Sequence, residues 1–147
     1  MNDDSWAEQG HKAHQGIEPI RFLIGSWSGE GQSHGVQVKG TLVVTPILDG
    51  TWLQATETLT EIESNNTSVD LCFYRWHEKA ESLQVFQFYE HAHLSTLLVE
   101  ATSNGFRWVT GPLSPQLVFS KTDAGFQYES GTEGQPESVT QMSYVRA

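Results

Sequence analysis

The chain is poor in cysteine and in positive charge. Cys72 is its only cysteine, so no internal disulfide forms and a cysteine-rich structural zinc site is excluded. Only 8 Lys and Arg stand against 18 Asp and Glu, a formal net charge of −10. Such a surface repels nucleic acid and anionic membrane, and neither is expected as a partner. No apolar run approaches the length of a membrane span. The opening Met1-Asn2-Asp3-Asp4 is acidic and polar, without the apolar core of a signal segment, which points to a cytoplasmic protein. There is no repeat of 20–50 residues, no low-complexity tract, no linker and no acidic tail. A chain of 147 residues fits one domain and can bury roughly 70% of its unfolded surface.

What is present is a period of two. Residues 1–15 are polar and read as a flexible N-terminal arm, with room for a helical turn, and the domain proper is placed at 16–147. Gly16 to Ile24 suits a short helical turn, with Glu18 and Pro19 in its first turn and Gly25 after its last apolar residue. From Trp27 the pattern alternates. Val36, Val38, Leu42 and Val44 share one strand face, and Gln37, Lys39, Thr41 and Thr45 the other. Further strands are expected near 51–62, 69–76, 83–89, 95–102, 106–110, 116–121, 125–130 and 138–146. Asp49-Gly50 and Asn104-Gly105 are hairpin signals between them. About ten strands joined by short turns favour an all-β, antiparallel, up-and-down barrel. A two-sheet sandwich is the alternative.

The pattern Gly25-x-Trp27-x-Gly29-x-Gly31 follows the helical lead, and Asp49-Gly50-Thr51-Trp52-Leu53 follows the next strand. With the hairpin rhythm over about residues 17–146, they make the chain resemble the nitrobindin-like and fatty-acid-binding-protein-like small bacterial barrels, relatives of the lipocalin or calycin architecture. The resemblance implies that Trp27 plugs one end of the barrel. It also implies that Arg146, on the last strand, packs over that indole; a solvated C-terminal arginine is the other reading. Nitrobindins hold haem iron with a histidine near the C-terminus. Here the last histidine is His93, so no cofactor is expected and haem is disfavoured; Met142 or Tyr144 would make a different iron site.

Three features carry possible chemistry. Gly31-Gln32-Ser33-His34-Gly35 matches a hydrolase nucleophile pattern, but that motif needs a strand, a turn and a helix. Here a period-two strand follows, so the match reads as a glycine-rich turn. His91-Ala92-His93, if extended, puts two imidazoles on one face roughly 6–7 Å apart; with His77 or a carboxylate they make a metal or catalytic site, and otherwise exposed loop residues. The aromatics are the third feature. The expected ligand wall is Trp52, Phe73, Tyr74, Arg75, Trp76, Phe86, Phe88, His91, His93 and Trp108. These bulky residues occupy both faces of the middle strands, so they either fill a core or line a cavity.

The function these features support is non-covalent binding of a small apolar or amphipathic molecule, without catalysis. A barrel with a filled interior that dimerises, or a small-substrate enzyme using His91 and His93, are the alternatives. Large apolar groups on both faces of 69–76, 83–89 and 95–101 lead to the expectation of a homodimer through the outer face.

Overall fold

The computed structural model describes residues 6–88, 94–109, 116–132 and 135–147. Strands make up 67% of the chain, far above the usual 20–25%, and all pairing is antiparallel. The strands are β1 (Gly25–Ser33), β2 (Val36–Ile47), β3 (Trp52–Glu61), β4 (Thr67–His77), β5 (Ser82–Phe88), β6 (Leu94–Thr102), β7 (Gly105–Val109), β8 (Gln116–Lys121), β9 (Gly125–Thr132) and β10 (Gln135–Arg146). Each pairs with the next, and β10 returns to β1, closing the barrel. Trp27 opposes Arg146 and Ser33 opposes Thr140 along that seam.

The connections follow local chemistry. Ser33 pairs with Val36, so His34 and Gly35 alone make the β1–β2 turn. Both have positive φ, 53° and 78°, the geometry a two-residue hairpin turn requires. The hydrolase-like pattern is therefore a hairpin, and Ser33 Oγ lies 3.0 Å from Thr140 Oγ1 across the seam. The connection around Asp49-Gly50 is longer than a two-residue turn: Ile47 pairs with Trp52, leaving 48–51 as the loop. Thr102 pairs with Gly105, which shifts the next turn by one residue, to Ser103-Asn104. Gly105 instead serves in the strand, where a Cβ would run into the Phe119 carbonyl of β8.

The period of two sets which side chains enter the barrel. Val38, Leu42 and Val44 of β2, Leu53 and Ala55 of β3, Cys72 and Tyr74 of β4, and Leu83 and Val85 of β5 are buried. Phe106, Trp108, Phe119, Phe126, Tyr128, Met142 and Tyr144 complete the interior from the later strands.

One end is closed. A 3₁₀ helix, Glu18–Leu23, lays Ile20 and Leu23 into the opening, with Ile17 just ahead of it, and all three are fully buried. Trp27 sits beneath. Its indole Nε1 donates to the Leu23 carbonyl at 2.8 Å, and its ring meets Phe126 edge-on at 4.9 Å. The Arg146 guanidinium lies 4.0 Å from the Trp27 ring centroid and donates to the carbonyls of Ile24 at 2.6 Å and Phe22 at 3.3 Å. The plug and the arginine lid, expected from the family resemblance, are both present.

In the described part of the segment read as an arm, the helix is longer than the single turn expected. It runs from Trp6 to Gly16 as α1. Its C-terminal end is held against the closed end of the barrel: Gly16 abuts the Trp76 ring, Lys12 pairs with Glu78 at 3.4 Å, and Arg21 donates to the His14 carbonyl at 2.9 Å. Among the described residues no helix is long and apolar enough to cross a membrane.

Candidate functional site

The barrel is hollow at the end opposite the plug. A cavity of about 650 Å³ runs from Leu23 to a mouth at the β1–β2 and β3–β4 turns, marked by exposed His34, Asn66, Thr67 and Ser68. Its inner part is apolar and aromatic, with Leu42, Tyr74, Trp108, Leu117 and Phe119. The Trp108 Nε1 donates to the Tyr74 hydroxyl at 3.2 Å, so the one polar atom of each ring is used within the wall. Burial pushes the Tyr74 phenol well above its ordinary range, and it stays neutral.

Partway along, the wall turns acidic. Glu57, on the inward phase of β3, is half-buried and lines the cavity. The Tyr144 hydroxyl of β10 donates to Glu57 Oε2 at 2.6 Å. The Tyr128 hydroxyl of β9 reaches both carboxylate oxygens, at 3.0 and 2.9 Å. Asp70 of β4 is the direct cross-strand neighbour of Glu57 and also lines the cavity, as does Glu61. Loss of hydration deep in the barrel pushes the Glu57 carboxyl up to about 7. The two tyrosine hydroxyls oppose that rise, and the Asp70 charge adds to it. Burial likewise raises both tyrosines, and the Glu57 charge raises them further. Cys72, between Ala55 and Gln87 in the sheet, is raised by burial and then by Asp70 and Glu57. It is a neutral thiol and a poor nucleophile.

Of the residues expected to form a ligand wall, Tyr74 and Trp108 line the cavity. Trp52, Phe73, Arg75, Phe86 and Phe88 do not: they stand on the opposite strand phase, outside the barrel. There Trp52 and Phe86 lie 5.7 Å apart, with the Arg75 guanidinium 5.3 and 5.4 Å from their centroids. Phe73 meets Phe88 edge-on at 5.7 Å. The inward phase of these strands carries small Ala55, Cys72 and Val85 beside Tyr74, and the large outward rings pair with one another across the outer surface. Trp76 is inward in phase but sits at the closed end under α1, half-buried. His91 and His93 lie outside the described residues. His77 accepts a hydrogen bond from the Ala80 amide at 3.0 Å, a turn contact. Among the described residues no three His, Cys, Asp or Glu side chains gather to hold a metal. β10 carries no histidine, the Tyr144 hydroxyl is engaged by Glu57, and Met142 is packed in the core.

Sequence reasoning missed Glu57, Asp70 and their tyrosines. A signal was there: Glu57 falls in step with Leu53, Ala55 and Leu59, and Asp70 in step with Cys72 and Tyr74. A carboxylate in the apolar phase of a strand is costly unless something satisfies it.

No family model matches this sequence, and a search of curated proteins finds no match. The closed ten-strand antiparallel barrel is compatible with the calycin or lipocalin architecture.

Proposed function

We propose that this barrel binds a small amphipathic molecule non-covalently in its cavity. The observation that carries the reading is a 650 Å³ opening with an aromatic inner wall and a few convergent polar groups, within the usual size of small-ligand sites. Apolar ligand surface buried against Trp108, Leu117 and Phe119 stabilises the complex by about 25 cal/mol per Å² before ordering costs. The polar groups partway along the wall orient the ligand. A nitrobindin-like or fatty-acid-binding-protein-like kinship belongs to the same proposal. It is supported by the plugged barrel end, the Gly25–Gly31 pattern and the Arg146 lid, and it rests on architecture, which does not dictate the ligand.

The test is titration with the neutral apolar dye N-phenyl-1-naphthylamine, followed by its own fluorescence. Saturable one-to-one binding is expected, and Leu117→Trp, which fills the inner cavity, should abolish it while leaving the circular dichroism spectrum intact. No saturable binding, or unchanged binding in L117W, would refute the cavity as the site.

The outer face supports a second, separate proposal. Phe88, Leu98 and Val69 are exposed beside the Trp52–Arg75–Phe86 stack, and a two-fold homodimer through this face would cover them.

A further inference from the structure

Among its described residues the cavity wall is acidic. Glu57, Glu61 and Asp70 line it, Glu57 and Asp70 side by side. All eight Lys and Arg residues fall among the described residues, and none lines it. Each is placed elsewhere: Arg146 on Trp27, Lys121 over Phe22, Arg75 on the outer stack, Arg107 with Glu100, Arg21 with Glu18, Lys12 with Glu78. The remaining two, Lys39 and Lys79, are exposed. An anionic ligand would meet carboxylates and no lysine or arginine.

The Glu57 geometry also leaves capacity for a donor. A carboxylate offers about four lone-pair positions. Tyr128 and Tyr144 bring one proton each, so the two described donors fill two of them. The two hydroxyls also hold the carboxylate in one orientation.

We propose that the ligand is an organic cation: a protonated amine on an apolar body, its ammonium seated at Glu57 and Asp70 and its body on the aromatic inner wall. This deepens the cavity-binding reading and rests on it. The bound ammonium brings positive charge to a wall that no lysine or arginine lines, and the net charge of −10 draws cations toward the mouth.

The pH dependence follows from the groups that face Glu57. Asp70, Cys72 and Tyr74 approach from β4, Tyr128 from β9 and Tyr144 from β10, with Glu61 on its own strand. The phases of β1, β2, β5 and β8 that line the cavity present Ser33, Val36, Val38, Leu42, Gln87, Leu117 and Phe119, none of which ionises. His34, exposed at the mouth, is the one imidazole among the described lining residues. With Glu57 titrating near 7, a cation binds more tightly as pH rises and the carboxyl ionises.

Three probes of equal chain length separate charge from apolar burial: octylamine, octanol and octanoate, each displacing N-phenyl-1-naphthylamine. An alkylammonium ionises like lysine, near ~10.4, so octylamine stays charged throughout. Octylamine is expected to bind most tightly and octanoate least, with the octylamine affinity rising about tenfold or more from about pH 5.5 to about pH 8.5. In Glu57→Gln that rise should vanish and octylamine should fall to the level of octanol, while His34→Gln keeps the rise. If E57Q fails to fold, Asp70→Asn and the proton released on binding octylamine near about pH 6.5, read as buffer-dependent heat, give the same decision. Tighter octanol or octanoate, or an affinity falling with pH, overturns the cation while dye binding leaves the cavity reading standing. Failure of all three probes to displace a bound dye also overturns the cation alone. Absence of dye binding overturns both.

Discussion

At the scale of single residues, Glu57 contributes a pH dependence to the stability of the fold. Its carboxyl is raised in the folded state, from 4.5 to about 7. The folded protein therefore holds more protons than the unfolded chain between those values, and stability falls as pH rises through that window. The neutral carboxyl's contribution is complete below about pH 4.5 and lost above about 7. At most it is on the order of 3 kcal/mol, less to the extent that water in the cavity reaches the group. Glu57→Gln keeps the shape and removes the titration. The stability of the wild type relative to E57Q should therefore decline between about pH 5 and pH 8, measured by urea unfolding at each pH. A flat difference would place the carboxyl in ordinary solvent. At the closed end, Trp27→Ala should cost roughly 3–5 kcal/mol, the range for a large aromatic removed from a core. Arg146→Ala should cost about 1–2 kcal/mol, through the lost contact with the indole and two carbonyl hydrogen bonds. The double variant should fall short of the sum, because the two side chains touch.

Among elements, β1 explains how a carboxylate fits inside the barrel. Its inward phase is Trp27, Gly29, Gly31 and Ser33. A Cβ on Gly29 would stand 2.7 Å from the Tyr144 ring, and one on Gly40 of β2 would strike the Tyr144 hydroxyl itself. The bare backbone is the space in which that ring lies to reach Glu57. Gly40→Ala should therefore push Tyr144 off the carboxylate and change the Glu57 titration, read by carboxyl-carbon NMR; a titration identical to wild type would refute this role for the glycine.

The strands themselves were legible from alternation, because an inside–outside period needs only neighbouring residues. The glycines of β1 were legible as a close approach, though not what approaches. The choice of inner face was not legible in β4 and β5, where Phe73 and Phe86 compete with Tyr74 and Val85 for the interior. The local pattern is symmetric there, and closure of the whole sheet decides. The Glu57 cluster was hidden for a related reason. Its partners lie 71 and 87 residues away in sequence, on strands that meet β3 only across the barrel interior. In the N-terminal segment, polar composition concealed α1, which buries no residue and whose C-terminal end rests against the barrel.

For the molecule as a whole, the all-β architecture should give a circular dichroism spectrum dominated by strand, with a minor helical component from α1 and the 3₁₀ turn. The proposed dimer predicts a particle of twice 16.4 kDa in light scattering at micromolar concentration. Phe88→Glu with Leu98→Glu should return it to monomer without unfolding it. A wild-type particle of 16.4 kDa would refute the pairing.

The seam between β1 and β10 has a consequence for how the chain is made. Trp27 waits for Arg146, so the contact that locks the plug is among the most distant in sequence. A ribosome delivering roughly 5–20 residues per second leaves β1 without its second neighbour for several seconds while the rest emerges. Such late, non-local closure slows folding and leaves two strand edges open to other chains in the interval. A chain cut before Gln135 would keep nine strands and both edges permanently. It would also lack Tyr144, one of the two hydroxyls that satisfy Glu57. The last twelve residues of strand thus decide between a sealed vessel and an adhesive sheet.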